Sequence, residues 1–229
     1  MKKTKFFLIT AILLNVGYAR AQDMGVSFSF FFPKNGYFSA PVSPFSLRGV
    51  GINLTNHLAL ETGFSLYRMS GMNVTDLPFD SKKPLVGPFF NVLVPVELIL
   101  EAGNNDVLFR LKGGVFGYVN FGTKINRGNL DEAFRQFKSW EVANSDPEMS
   151  NKPGFGYEFG TETILYLSKQ FGISFGANYY LGGSDVSFKG SLSGGNASGG
   201  LVTESFNYPD SRLDYTGLEI SVGVIFSNR

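Results

Sequence analysis

Along most of the chain, apolar and polar positions alternate with a period of two, the repeat of a β-strand, and not with the 3.6-residue repeat of a helix. Eight segments carry this pattern: residues 24–32, 46–54, 58–69, 85–100, 107–121, 154–167, 171–182 and 213–226. In the third, Leu58, Leu60, Thr62, Phe64 and Leu66 share one face; Ala59, Glu61, Gly63, Ser65 and Tyr67 share the other. In the seventh, Phe171, Ile173, Phe175, Ala177, Tyr179 and Leu181 oppose Gly172, Ser174, Gly176, Asn178 and Tyr180. In the last, Leu218, Ile220, Val222, Val224 and Phe226 oppose Glu219, Ser221, Gly223 and Ile225. One face is greasy and the other small, polar or charged. Several segments exceed the roughly 9–11 residues that a tilted strand needs to cross a bilayer. Pro95, inside the fourth, removes a ladder donor and predicts a bulge or bend there.

Periodicity does not say which face is inside. A soluble sandwich or lipocalin-like barrel turns its apolar face inward, whereas a membrane barrel turns it outward. The connections separate the two. Residues 55–57, 101–106 and 168–170 make three short turns, while 33–45, 70–84, 122–153 and 183–212 are long. Short turns at one end and long loops at the other are the layout of an outer-membrane barrel, and a compact soluble domain has no reason to sort its loops this way. The expectation is an all-β fold: an eight-stranded antiparallel transmembrane up-and-down β-barrel with both termini in the periplasm.

The N-terminus adds a destination. Lys2, Lys3 and Lys5 precede an apolar run from Phe6 to Val16, and Ala19-Arg20-Ala21 is an A-x-A site. This reads as a signal peptide over residues 1–21, cleaved before Gln22, with residues 22–229 as the barrel domain of a protein of the cell outer membrane. The longest later apolar stretch, residues 89–100, contains Asn91, Pro95 and Glu97, so it does not make a spanning helix.

Composition then narrows the chemistry. Lys and Arg total 20 against 19 Asp and Glu, which leaves no basic field for nucleic acid. Gly reaches 28 and aromatics 15%, with 24 Phe and 10 Tyr, which suits close-packed strands and interface girdles. Girdle candidates are Phe28, Phe30, Phe32, Phe64, Tyr67, Phe89, Phe90, Phe155, Tyr157, Phe159, Tyr179 and Tyr215. The absence of Cys excludes disulfides, thiolate metal sites, a Cys nucleophile and an acylated lipoprotein.

On these features the chain resembles the small bacterial outer-membrane β-barrel family, the outer membrane protein beta-barrel domain or porin-family type that includes OmpX-like and PorT-like proteins. The resemblance covers residues 23–229 and rests on the signal peptide, the eight strands, the loop asymmetry and the final strand Leu218-Glu219-Ile220-Ser221-Val222-Gly223-Val224-Ile225-Phe226. It implies a C-terminal aromatic signal read by the barrel-assembly machinery; here Phe226 is followed by Ser227-Asn228-Arg229, an imperfect match.

The inward faces carry Glu61, Glu97, Glu158, Glu162 and Glu219 with Arg110 and Lys112. An eight-stranded barrel is only wide enough for side chains to fill it, so these charges have to pair. They read as a structural ion-pair core or, more sharply, as a proton or cation path or an acid–base carboxylate pair. His57, the sole histidine, falls at a short turn, the wrong end for an outer-membrane hydrolase, and has no second His for a metal pair. In residues 122–153, Asn129 reads as a helix N-cap with Asp131 and Glu132 in the first turn and Leu130, Phe134 and Phe137 on one face. That helix is either a lid or partner-docking element or a loop helix packed over the barrel mouth. Residues 190–200, rich in Gly, read as a flexible tip between strands that extend the hairpin beyond the bilayer. No cofactor and no metal is expected. The expected role is non-catalytic (structural, adhesive or in secretion assembly), with a narrow passive porin-like channel as the alternative. The expected partners are outer-membrane lipid, the assembly machinery and an extracellular or envelope protein met through the long loops.

Overall fold

In a computed structural model, residues 23–37 and 40–227 are described. The signal peptide expected over residues 1–21 lies outside them. The strands are β1 (Asp23–Pro33), β2 (Gly36–Tyr37), β3 (Ala40–Asn53), β4 (Leu58–Met69), β5 (Gly71–Met72), β6 (Val74–Thr75), β7 (Phe89–Gly103) and β8 (Val107–Phe121). The helix α1 (Arg127–Lys138) and strands β9 (Val142–Asn151), β10 (Gly154–Tyr166), β11 (Phe171–Asn196), β12 (Gly200–Asp214) and β13 (Gly217–Ser227) follow.

Eight strands close a ring in the order β10-β8-β7-β4-β3-β1-β13-β11, and β11 pairs back onto β10. Every ring pairing is antiparallel, with β1 paired to β13 over its whole length. Closure leaves the ring without an edge. The turns after β3, β7 and β10 are short and lie at one end, called lower here, with Asp23 and Ser227 beside them.

The two faces separate as the alternation demands. Outward positions are apolar: Phe28, Phe64, Val96, Leu98, Phe109, Leu111, Phe155, Phe159, Phe175 and Val222 are all exposed. Inward positions are small, charged or aromatic. Three girdle candidates prove to face inward: Tyr67, Phe89 and Tyr215 are buried. Tyr67 and Phe89 fall on the inward parity of β4 and β7, and Tyr215 bridges β12 to β13 over the barrel mouth.

Several boundaries move. The second barrel strand begins at Ala40, the fourth at Phe89 and the eighth at Gly217, and Leu213 belongs to β12. The seventh runs on to Asn196, so the Gly-rich stretch is strand up to a tight turn at 197–199. Its glycines answer to close approach: a Cβ on Gly194 would sit 2.2 Å from the Val142 carbonyl oxygen and 2.5 Å from the Trp140 ring. No bulge forms at Pro95. The β7–β8 register is continuous through it, and β4–β7 pairing resumes at Ser65–Leu93 in the same register as Thr62–Val96. Only the ladder on the β4 side is interrupted, and Thr62 Oγ1 donates to the Pro95 carbonyl at 2.6 Å. The bulges lie in β3 opposite β4, where Arg48 and Gly49 together oppose Gly63, and in β12 near Pro209, between Val186 and Phe188 of β11. Gly49 has φ 84°, which a glycine adopts without strain.

Above the ring, β11 is the spine of a protruding sheet. It keeps β9 on one side and β12 on the other, and β6 joins β12. Helix α1 lies on this sheet.

Candidate functional site: a sealed charged interior beneath a structured cap

The interior is stacked in layers. Leu108, Ile164 and Ile225, buried with Tyr166 packed on them, close the lower end. Above them Arg110 lies 2.7 Å from Glu101, 3.5 Å from Glu61 and 3.6 Å from Glu162, and Lys112 lies 3.2 Å from Glu162. The register explains this knot, because Glu101, Arg110 and Glu162 are cross-strand neighbours on β7, β8 and β10.

One level higher, Arg48 lies 3.0 Å from Glu219 and 3.8 Å from Glu97. Glu219 also accepts from Tyr67, from Asn178 Nδ2 at 2.8 Å and from the Tyr180 hydroxyl at 3.4 Å. A void of about 10 Å³, room for about one water, lies between Ser27, Arg48, Lys112, Glu162, Ser174 and Ser221.

Aromatic rings then fill the bore. Tyr215 stacks on Tyr118 (centroids 4.4 Å apart) and on Phe31 (4.8 Å), and Phe116 meets Tyr180 edge-on at 5.0 Å. The Tyr215 hydroxyl donates to Asn91 Oδ1 at 3.1 Å, and Asn91 donates to Asn120 at 2.7 Å. Met69, Met72, Leu85, Phe89 and Leu93 roof this layer.

All seven residues singled out for the interior, Glu61, Glu97, Arg110, Lys112, Glu158, Glu162 and Glu219, are buried there. The structure joins six of them to cationic or anionic partners at the distances above and leaves Glu158 outside those pairs. Two members escaped sequence reasoning. Arg48 shares the inward side with Gly49 through the β3 bulge, which breaks the alternation; the available signal was a charge in an otherwise uncharged strand. Glu101 lies within β7, which runs on to Gly103, past the turn boundary drawn from the pattern. His57 is exposed in the lower turn between β3 and β4, where its backbone N–H donates to Thr55 Oγ1 at 3.2 Å. Among the described residues no group of three or more His, Cys, Asp or Glu is arranged to hold a metal ion.

The cap is a second, smaller core. Helix α1 starts one turn earlier than expected, with Asn126 as N-cap accepting from the Asn129 N–H at 3.2 Å, so Asp131 and Glu132 fall outside the first turn. Its buried face is Leu130, Ala133 and Phe134; Phe137, expected with them, is exposed. Phe134 packs between Phe79 (5.0 Å) and Phe206 (5.1 Å). Asp131 accepts from the Ser145 N–H at 2.7 Å and Oγ at 2.6 Å, and Lys138 pairs with Glu204 at 2.7 Å. Lys83 and Glu132, 2.8 Å apart, tie the preceding loop to the helix; the contact raises the Lys83 ammonium and lowers the Glu132 carboxyl from their ordinary pKa values.

No family model and no curated protein matches the chain. Among solved structures it is similar to the outer membrane protein OprG from Pseudomonas aeruginosa: 12% identity, 91% of this chain and 96% of that chain covered, TM-score 0.51. The chain has the fold of an outer-membrane barrel protein. A major outer membrane protein from Thermus thermophilus also matches, at 13% identity over 90% of this chain and 100% of that one, with a TM-score of 0.41.

Proposed function

We propose that the protein is an integral, non-conducting outer-membrane barrel that displays a structured cap outside the cell for a structural, adhesive or secretion-assembly role, without catalysis. The sealed lumen carries this reading: an apolar lower plug, an ion-paired belly and stacked aromatics follow one another along the bore. A pore requires a continuous wet path, and a small barrel whose interior is filled by side chains has none. The membrane placement is supported by the apolar outer wall. So large an exposed apolar band is untenable in water and suits acyl chains. On this placement the lower turns are periplasmic and β9, the upper part of β11, β12 and α1 stand outside.

The displayed surface supports an interaction role. The side of the protruding sheet away from α1 has a polar stretch, Ser191 flanked by Ser205 and Asp146 and Ser193 by Thr203 and Asn144, and ends at its tip in exposed Val142 and Leu201. Export by a signal peptide removed before Gln22 completes the proposal, and the mass of the mature N-terminus tests it.

The deciding measurement is conductance in planar bilayers. The refolded barrel is expected to be silent; stable unitary steps would overturn the sealed reading in favour of a narrow channel.

A further inference from the structure

The interior holds six carboxylates, Glu61, Glu97, Glu101, Glu158, Glu162 and Glu219, against three cations, Arg48, Arg110 and Lys112. Their contacts are unequal. Glu61, Glu101 and Glu162 share Arg110 and Lys112. Glu219 takes Arg48, Tyr67, Asn178 and Tyr180. What remains is Glu97, with only the 3.8 Å contact to Arg48, and Glu158. Neither oxygen of Glu158 nor Oε1 of Glu97 has a hydrogen-bond donor. Asn178 Oδ1 is also without one, and it lies over Gly160, 2.1 Å from where a Cβ would stand.

The backbone brings the pair together. Glu97, Gly114 and Glu158 are successive register partners on β7, β8 and β10, so two carboxylates stand in one row with a residue lacking a side chain between them. Among the described residues, the cations nearest the row are already shared. On β3, Arg48 holds Glu219 at 3.0 Å through Nη2 and stands 3.8 Å from Glu97 through Nη1, which like its Nε has no hydrogen-bond partner; on β8, Lys112 serves Glu162. On β11, Tyr180 has one hydroxyl proton, which lies 3.4 Å from Glu219 and also faces Glu158. On β4, Glu61 is another acid, directly opposite Glu97. Two ionised carboxylates so placed in a sealed interior would cost far more than the fold can hold, and such groups neutralise instead. No water-sized space adjoins their free oxygens, so a hydrated ion does not fit there; a proton needs no room.

We propose that Glu158, in the row it shares with Glu97, is a proton-binding site and that the folded barrel carries one proton on it at neutral pH. The proton converts an acceptor-only carboxylate into a hydroxyl donor, which supplies the hydrogen bond that the free oxygens of this row lack.

The test is infrared spectroscopy of the full barrel refolded in lipid vesicles at neutral pH, read at the carbonyl stretch of a protonated carboxyl. The wild type should show one such band. Glu158→Gln, which mimics the neutral acid in shape and hydrogen bonding, should fold and lose it. Glu148→Gln, on the exposed sheet, should keep it as a control. Absence of the band in the wild type would overturn the proposal, including the case where stability depends on a small cation in place of a proton. So would survival of the band in Glu158→Gln. The readout does not depend on conductance, so it can fail while the silent-barrel reading stands, and the reverse.

Discussion

Arg48 on β3 reaches past the intervening β1 to Glu219 on β13 at 3.0 Å, and both side chains are almost wholly buried. Breaking such a pair leaves an uncompensated charge, so Arg48→Ala is expected to destabilise the barrel by about 3–5 kcal/mol. Replacing both residues with apolar ones of similar volume, as in Arg48→Met with Glu219→Leu, should cost much less than the sum of the single changes. Urea unfolding in lipid vesicles measures the cycle; additive losses would mean that the two residues do not act as a pair.

Tyr215 stacks on Tyr118 and Phe31 at the top of the bore. Tyr215→Ala removes the central ring and should cost about 3–5 kcal/mol, as large aromatic truncations do. The lower plug and the ion-paired belly remain, so the variant should stay as silent as the wild type in bilayer recordings; unitary steps would place the seal in the aromatic layer alone.

Val222 is exposed on the outer wall between Ser221 and Gly223. If that wall meets lipid, Val222→Arg should destabilise the folded barrel by about 2–4 kcal/mol near the midplane, while the same change in detergent-free water would be nearly neutral. Folding yield into vesicles, followed by heat-modifiable gel migration, reports the difference.

Lys83 and Glu132 clamp the loop before β7 to α1. The Glu132 carboxyl is lowered by this contact, so its contribution is present above the ordinary carboxylate range and lost as pH falls through its own lowered value. The Lys83 ammonium is raised, so its share persists to alkaline pH. Both groups are exposed and the effect is local. Amide-exchange protection factors in residues 81–86 should fall on acidification, and Lys83→Met should remove that pH dependence without changing the barrel.

How much of this was legible beforehand follows from what a period of two encodes. Parity along a strand assigns a face, so the outward apolar rows of β4, β11 and β13 and the inward glutamates could be read directly. The lengths of the connections sorted the short turns to one end. Parity carries no information across a bulge: Arg48 joins the interior only because two β3 residues oppose the single Gly63, and that pairing belongs to β4 as much as to β3. The same holds for Pro95, where a missing donor on one side is tolerated because β8 keeps the register on the other.

The chain by itself, then, determined the strands, their faces and the sorting of turns to one end, because these depend on neighbours two residues apart. Tertiary structure alone decided which carboxylates meet a cation, since Glu97 and Glu158 become companions only when β8 places Gly114 between them. It also decided that the long connections are a folded cap, because Phe79, Phe134 and Phe206 are remote in sequence and meet only in the folded structure.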